Sequence, residues 1–206
     1  MTIARFVPVE EVLGDDRLAG VELSEAETTR WRRLRFEVDR DAYRAAHLLA
    51  RLCAGDLLDI SPSRVCLEQH CPRCGATGHG RPSIVGESRV QVSLSHTRGH
   101  VAAVAATAEC GIDVERIAGS IPRNAVTAHE QTWLDTATDP LLDFTRLWVR
   151  KEALVKVGVA DEPGRIDVVG ESGPADRVGR FALTDWTGSV DQSGRPTALG
   201  CLALAD

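Results

Sequence analysis

Lys151 and Lys156 are the only lysines among the 24 basic residues of this 206-residue chain, and all the others are arginines. In a composition that prefers arginine, two lysines kept close together indicate a site that needs a compact ammonium group rather than a planar guanidinium. Glu152 and Lys156 are spaced i,i+4, so on a helix their side chains share one face. The apolar spacing across residues 146–157, with no Gly or Pro before Gly158, predicts that helix.

A second group of carboxylates lies in Gly111-Ile-Asp-Val-Glu115. If this segment is a strand, Asp113 and Glu115 point to the same side, because side chains alternate along a strand. Neighbouring carboxylates repel one another unless a cation or a proton lies between them. Together with Glu152 they would form an oxygen-rich site that suits Mg²⁺ or Mn²⁺. Taken alone, the Asp-x-Glu pattern is also typical of a solvated strand face.

Two further segments offer candidate phosphate contacts. In residues 92–97, the hydroxyl of Ser95 and the imidazole of His96 can donate hydrogen bonds to phosphate oxygens. A strand-to-turn connection with an incidental histidine explains that segment equally well. In Gly80-Arg81-Pro82, glycine permits close backbone approach and arginine offers a fork for phosphate, although the tripeptide by itself is a turn.

Two other clusters have both a functional and a simpler interpretation. Cys66, Cys71, Cys74 and His79 present three thiols and an imidazole, the donor set of a Cys₃His zinc site. Only the Cys71-x-x-Cys74 pair has the spacing of a zinc knuckle, so free thiols in a loop are the favoured alternative. Residues 30–35 contain four arginines, which form either a solvated helix face or a surface for phosphate or an acidic partner.

Composition excludes several classes of protein. The 43% hydrophobic and 26% charged content is that of an ordinary globular protein. A net charge of −6 argues against a nucleic-acid surface. No run approaches the roughly 18 apolar residues of a membrane span, and the N-terminus lacks the apolar core of a signal peptide. We therefore expect a cytoplasmic protein whose cysteines are reduced thiols.

Periodicity and turn residues predict a mixed α+β chain. Ser24-Glu-Ala-Glu27 is a capping box that starts a helix carrying the arginines of residues 30–35. A second helix is predicted over residues 41–54, with Gly55 as its end. The other predicted elements are strands at residues 3–9, 64–68, 90–94, 101–106, 111–115, 166–169, 179–185 and 198–203, and helices at residues 125–136 and 141–157. Both halves pair helices with strands, which permits two similar lobes divided near residues 108–118, although no residue-level repeat relates them.

The order of these motifs resembles the 4′-phosphopantetheinyl transferase superfamily, of the larger, Sfp-like kind. That family combines a Gly-Ile-Asp-Ile-Glu segment with a later aromatic residue and Lys-Glu-(Ala/Ser)-x-x-Lys. Here Gly111-Ile-Asp-Val-Glu115 is followed by Trp148-Val-Arg-Lys-Glu-Ala-Leu-Val-Lys156. Upstream, three segments are similar to further motifs of the family, and the resemblance spans roughly residues 24–158. These segments are Asp41-Ala-Tyr-Arg44, His79-Gly-Arg-Pro82 and Ser93-Leu-Ser-His-Thr97.

The resemblance implies a fold of two similar, pseudo-twofold-related α/β lobes with the active site between them. The N-terminal lobe, residues 1–112, would contribute contacts to coenzyme A, and the C-terminal lobe, residues 113–206, the metal and the catalytic helix. It also implies a reaction in which the serine hydroxyl of an acyl or peptidyl carrier protein attacks the β-phosphorus of coenzyme A. The phosphopantetheine arm is transferred and 3′,5′-ADP leaves.

Roles for individual residues follow from the same resemblance. Asp113, Glu115 and Glu152 would hold Mg²⁺ or Mn²⁺, and Glu152 would take the serine proton, directly or through a metal-bound water. Lys156 would lie on the pyrophosphate of the substrate coenzyme A. The remaining coenzyme contacts would come from Arg44, Ser95, His96 and the turn His79, Gly80, Arg81 and Pro82. Three departures from the family pattern leave those groups intact: Val149 after the aromatic residue, no Phe before Thr127-x-x-Glu130, and Arg81 in place of lysine.

Carrier proteins of this family are generally acidic helical bundles, so residues 30–35 are a candidate docking surface for one. Two other functions stay open at this point. One is a non-catalytic protein that binds coenzyme A or 3′,5′-ADP, and the other is a metal phosphohydrolase that uses the same carboxylates. By analogy with the family we expect a monomer. The sequence does not specify which carrier protein is served, and it does not identify the general base.

Overall fold

The computed structural model describes residues 1–71, 75–78 and 80–206. Helices and several separate sheets confirm the α+β class. The chain divides between Cys110 and Gly111 into unit 1, Met1–Cys110, and unit 2, Gly111–Asp206.

Unit 1 is built around an antiparallel sheet and one long helix. Its elements, in chain order, are β1 (Thr2–Pro8), α1 (Val9–Leu13), α2 (Glu25–Trp31), α3 (Glu37–Leu58), β2 (Leu67–His70), β3 (Arg81–Ile84), β4 (Gln91–Thr97) and β5 (His100–Ala106). The sheet order is β1-β5-β4, and β2 and β3 pair separately. All seven residues of β5 are buried, because this strand lies between two neighbours while α3 packs against it.

Helix α2 begins where the capping box predicts. The Ser24 hydroxyl accepts a hydrogen bond from the amide of Glu27, whose carboxylate in turn accepts the amide of Ser24. The helix is shorter than predicted, because it ends at Trp31. The prediction that the helix carries all the arginines of residues 30–35 is therefore wrong: Arg32 is its C-terminal cap, and the later arginines lie in the connection to α3.

Helix α3 is longer than predicted at both ends. Gly55 is an interior residue, and the helix continues to Leu58 before Asp59 turns into the left-handed region with φ 55°. A Cβ atom at Gly55 would lie 2.8 Å from the carbonyl oxygen of Ile60. This glycine therefore permits the chain to fold back closely against the helix, rather than ending it.

A buried polar cluster joins α2 to α3. One oxygen of Glu27 lies 2.8 Å from Nδ1 of His47, and the guanidinium of Arg51 reaches both carboxylate oxygens at 2.7 and 3.1 Å. All three side chains are almost entirely buried. Burial by itself raises the pKa of Glu27, but the hydrogen bonds from His47 and Arg51 outweigh it and hold that pKa at about 2.

Unit 2 also combines one sheet with one long helix. Its elements are β6 (Cys110–Arg116), α4 (Ala128–Leu134), α5 (Pro140–Lys156), β7 (Val169–Gly170), β8 (Gly173–Pro174), β9 (Arg177–Val178), β10 (Phe181–Thr187) and β11 (Ala198–Ala205). The main sheet has the order β6-β11-β10-β9, and β7 pairs with β8. Helix α5 packs against β11 and β10.

The two units share one order of elements. Each contains a strand, then a long helix, then two antiparallel strands, and the last of these three strands lies between the other two in the sheet. In unit 1 these are β1, α3, β4 and β5, and in unit 2 they are β6, α5, β10 and β11. Among the described residues, no helix combines the length and the apolar character that a membrane crossing requires.

Candidate active site

Strand β6 and helix α5 approach one another backbone to backbone. A Cβ atom at Gly111 would lie 2.1 Å from the carbonyl oxygen of Ala153, a distance that no larger residue can accept. Gly111 is therefore required by packing, and the consequence is that the polar residues of β6 lie beside the last turns of α5. Helix α5 begins with an N-terminal cap, in which the carboxylate of Asp139 accepts a hydrogen bond from the amide of Leu142 at 3.1 Å.

Lys156 of α5 contacts Asp113 of β6. Its Nζ donates to Oδ1 of Asp113 at 2.8 Å and to the carbonyl oxygen of Ile112 at 2.7 Å. Asp113 is buried, whereas the side chain of Lys156 retains 28% of its exposure. The solvent exposure of this pair is therefore mainly that of the lysine side chain.

Glu152 lies one turn before Lys156 and is half-buried. Burial raises the pKa of its carboxyl group, and the negative charge of Asp113 raises that pKa further, while Lys156 opposes both effects. The carboxylates of the helix and the strand are therefore within electrostatic reach of one another. Glu115 follows Asp113 by two residues on the same side of β6 and is also half-buried.

The donor chemistry of these residues fits a hard divalent cation, because Asp113, Glu115 and Glu152 offer only carboxylate oxygens. The like-charge effect on the pKa of Glu152 is one that a cation relieves. Across residues 1–71, 75–78 and 80–206, however, no three acidic, cysteine or histidine side chains are grouped as metal ligands. The assignment of these three residues to Mg²⁺ or Mn²⁺ remains a prediction.

Lys151 has a structural role that the sequence did not reveal. Its side chain is fully buried and donates to the carboxylate of Glu130 and, at 2.8 Å, to the carbonyl oxygen of Ala125. Glu130 also accepts the amides of Thr127 and Val168. Of the two lysines, Lys151 is therefore bound to buried groups of the protein itself. The Thr127-x-x-Glu130 capping box was the available signal, but its pattern does not identify a lysine as partner.

Ser95 and His96 lie near the end of β4, as predicted from their sequence. The β4–β5 hairpin pairs His96 with Val101 and Thr97 with His100. Ser95 is buried and His96 is exposed. The imidazole of His96 meets the ring of Tyr43 edge-on, with 5.8 Å between ring centroids. Tyr43, a residue that the sequence did not single out, thus contacts one of the predicted phosphate-binding side chains.

Arg44 and the Gly80-Arg81-Pro82 segment also belong to unit 1. Arg44 is exposed on α3. Arg81 and Pro82 begin strand β3, so the prediction that they form a turn is wrong. Gly80 has φ 100°, and a Cβ atom there would lie 2.2 Å from the carbonyl oxygen of His70. The glycine is thus needed by the chain's own backbone, whatever its role toward a ligand; His79 lies outside the described residues.

The predicted zinc cluster is only partly described. Cys66 is exposed and Cys71 is half-buried, whereas Cys74 and His79 lie outside the described residues. Among the residues that are described, no group of metal ligands includes Cys66 or Cys71.

One comparison with known proteins found a similarity in this region. The model of the 4′-phosphopantetheinyl transferase superfamily matches residues 109–172, just under a third of the chain. The matched segment includes Asp113, Glu115, Glu152 and Lys156, and it excludes the predicted coenzyme contacts of unit 1. A search of curated proteins found no match. A superfamily domain at residues 109–172 supports phosphopantetheinyl transferase activity in general.

Proposed function

We propose that this protein transfers the 4′-phosphopantetheine arm of coenzyme A to a serine of an acyl or peptidyl carrier protein and releases 3′,5′-ADP. The observation that carries the proposal is the arrangement of Glu152 and Lys156 on α5 beside Asp113, inside the segment that matches the superfamily. The substrate, the metal requirement and the released product belong to this proposal rather than to the comparison.

The residues of unit 2 suit the transfer step. The serine oxygen forms a bond to the β-phosphorus of coenzyme A, and the bond from that phosphorus to the oxygen of the departing 3′,5′-ADP breaks. Glu152 accepts the serine proton, directly or through water, and its raised pKa brings the base closer to the operating pH. Lys156, whose side chain is partly exposed, stabilises the negative charge on the pyrophosphate oxygens.

Asp113, Glu115 and Glu152 would hold Mg²⁺ or Mn²⁺ in this proposal. A divalent cation bound there supplies positive charge to the phosphate oxygens as the bond to 3′,5′-ADP breaks. The fit rests on the three carboxylates and on the charge of Asp113, which already raises the pKa of Glu152.

In unit 1, we assign coenzyme contacts to side chains that offer hydroxyl, imidazole and guanidinium donors to phosphate oxygens. These side chains are Arg44, His79, Arg81, Ser95 and His96. Gly80 and Pro82 belong to the same proposed contact through the path of the backbone. Exposure of Arg44 and His96 supports the assignment, because both can meet a ligand from solvent.

Carrier-protein docking is assigned to residues 30–35, together with Phe36. Arg32, Arg33 and Arg35 are all exposed. The ring of Phe36 is 51% exposed and lies against the guanidinium groups of Arg35 and Arg98, 5.4 and 5.3 Å from its centroid. An aromatic ring flanked by arginines is typical of protein interfaces, and the local positive charge fits an acidic partner although the chain as a whole has a net charge of −6.

The proposal is tested by incubating the protein with coenzyme A, Mg²⁺ and a panel of apo-carrier proteins. We expect at least one carrier to gain the mass of one phosphopantetheine arm. Glu152→Gln should reduce the transfer rate at least about a hundredfold, because it removes a ligand and the proposed base. Glu171→Gln, an exposed residue in the turn between β7 and β8, is the matched control and should retain normal activity.

Near-normal labelling by Glu152→Gln contradicts the mechanism. Binding of coenzyme A without any mass gain across the panel indicates a non-catalytic binding protein instead. Breakdown of coenzyme A in the absence of carrier protein indicates a phosphohydrolase.

A further inference from the structure

Tyr43 lies at the centre of a stack of aromatic rings in unit 1. It is only 4% exposed. Its ring centroid is 4.3 Å from that of His47, one turn later on α3, and 5.8 Å from that of His96 on β4. The angle between the rings of Tyr43 and His96 is 75°, the edge-to-face arrangement that aromatic rings favour. Tyr43 therefore connects a buried helix residue to an exposed strand residue.

The inner side of this stack is firmly held. His47 is bonded through Nδ1 to Glu27, which also binds the guanidinium of Arg51. Because all three side chains are buried and joined by short hydrogen bonds, the ring of His47 gives Tyr43 a fixed surface on which to pack. The ring of His47 thereby fixes the position of the Tyr43 ring on its buried side. Glu27 and Arg51 hold His47 in place, because neither can leave the interior without losing its partner.

The hydroxyl group of Tyr43 does not explain its position. The oxygen is buried and makes no hydrogen bond to any residue within the described ranges. A buried hydroxyl without a partner costs free energy, so packing of the ring, rather than the hydroxyl, accounts for an aromatic residue here. Phenylalanine should therefore replace Tyr43 without loss.

We infer that Tyr43 is a positioning residue that holds the imidazole of His96 in the orientation in which it binds a phosphate group of the substrate coenzyme. The inference rests on the proposed function, in which His96 makes that contact. His96 is exposed at the end of an edge strand, a place where a side chain ordinarily samples several rotamers. The edge-to-face contact restricts those rotamers before the ligand arrives, and this lowers the entropy lost on binding.

The test is a double-mutant cycle between Tyr43 and His96, measured with coenzyme A and a carrier protein that the enzyme modifies. Tyr43→Leu should raise KM for coenzyme A about tenfold, with kcat and carrier KM changed less than about twofold. Tyr43→Phe should match the wild type. In a His96→Ala background, Tyr43→Leu should add little, because its effect passes through the imidazole.

A merely structural role for Tyr43 predicts a different outcome. If Tyr43→Leu raises KM for coenzyme A by the same factor with or without His96, the inference is wrong. It is equally wrong if Tyr43→Leu leaves that KM unchanged. Phe181→Leu, which shortens a buried aromatic residue of unit 2, controls for a general loss of stability and should not change KM for coenzyme A.

A second measurement separates this inference from the proposed function. NMR signals of the His96 imidazole, recorded without substrate, should shift and broaden in Tyr43→Leu but not in Tyr43→Phe. If the wild type transfers nothing to any carrier while this NMR pattern holds, the proposed function fails and the contact between Tyr43 and His96 stands. If transfer occurs but the His96 signals are the same in all three proteins, the positioning role is refuted.

Discussion

Lys151 and Lys156 lie on one helix and experience opposite environments. Lys151 is fully buried and bound to Glu130, whose carboxylate also accepts two backbone amides. Lys156 holds Asp113 but keeps 28% of its side chain exposed. A buried charge that is paired and hydrogen-bonded stabilises the structure without reaching a ligand, whereas a lysine with a partly exposed side chain can do both. The two lysines thus divide between folding and the proposed chemistry.

Replacement of Lys151 tests this division. Lys151→Met should lower the free energy of unfolding by about 3–5 kcal/mol, because it leaves the carboxylate of Glu130 buried without a counter-charge. Urea denaturation measures the change. Arg165→Met is the control: it removes an ion pair to Glu162 whose side chains are 73% and 66% exposed, and it should cost less than about 1 kcal/mol. Adding Glu130→Gln to Lys151→Met should recover part of the loss; no recovery means that the ion pair is not the cause.

At this scale the sequence predicted what depends on local spacing. The i,i+4 relation placed Glu152 and Lys156 together on a helix, and alternation placed Asp113 and Glu115 on one side of a strand. The burial of Lys151 could not be predicted, because Glu130 and Ala125 are brought to it only when α4 and the segment before it pack on α5. Nor could Tyr43 be singled out, since its partner His96 is distant in sequence.

At the scale of elements, the connection between α2 and α3 depends on one carboxylate. Glu27 closes the capping box of α2 and also binds His47 and Arg51 of α3. The capping box could be predicted from four residues. Its second role could not be predicted, because His47 and Arg51 come close to this carboxylate only when α3 packs against α2. The end of α3 was mispredicted for a related reason: Gly55 is explained by the carbonyl of Ile60, a contact that exists only after the chain folds back.

The pKa of Glu27 predicts how stability depends on pH. Its pKa is about 2 in the folded protein, against an ordinary value of 4.5. Because the folded pKa is the lower one, the ionised carboxylate stabilises the fold above about pH 4.5, and this contribution is lost as pH falls toward about 2. Between about pH 5 and about pH 3, the Tm of the wild type should fall more steeply than that of Glu27→Gln.

The control for that experiment is Glu68→Gln, which removes an exposed glutamate of β2 and should leave the pH dependence of Tm unchanged. Glu27→Gln should also be the less stable protein at neutral pH, since it leaves Arg51 and His47 without their carboxylate. Parallel Tm curves for Glu27→Gln and the wild type contradict the assignment.

The arginines after α2 are tested by charge reversal. Arg32→Glu combined with Arg33→Glu should raise KM for the carrier protein at least about fivefold and change KM for coenzyme A less, because rim charges mainly steer a charged partner. Arg64→Glu combined with Arg89→Glu makes the same change of charge at two exposed sites of unit 1 and should affect neither KM. Equal effects of the first pair on both substrates indicate that these arginines bind the coenzyme instead.

For the whole molecule, the repeated order of elements is more informative than any residue match. Both units contain a strand, a long helix and an antiparallel pair whose last strand lies inside the sheet. The sequence predicted paired helices and strands in each half but showed no repeat. The physical reason is that the topology depends on the hydrophobic pattern, which many different residues satisfy. Strand β5 combines alanine with valine, whereas β11 combines alanine with leucine, glycine and cysteine.

The shared topology predicts where each unit resists opening. Strands β5 and β11 have neighbours on both edges and a long helix packed against one side, so their amides should exchange with solvent about a hundredfold more slowly than those of edge strand β4. Hydrogen exchange measured by NMR tests this directly.

Leu48→Ala in α3 and Leu154→Ala in α5 remove buried side chains, and each should lower the free energy of unfolding by about 2–5 kcal/mol. Leu48→Ala should accelerate exchange in β5, and Leu154→Ala in β11. If the slowest amides lie in an edge strand instead, the prediction is wrong, because β5 and β11 would then not be the most protected strands of their units.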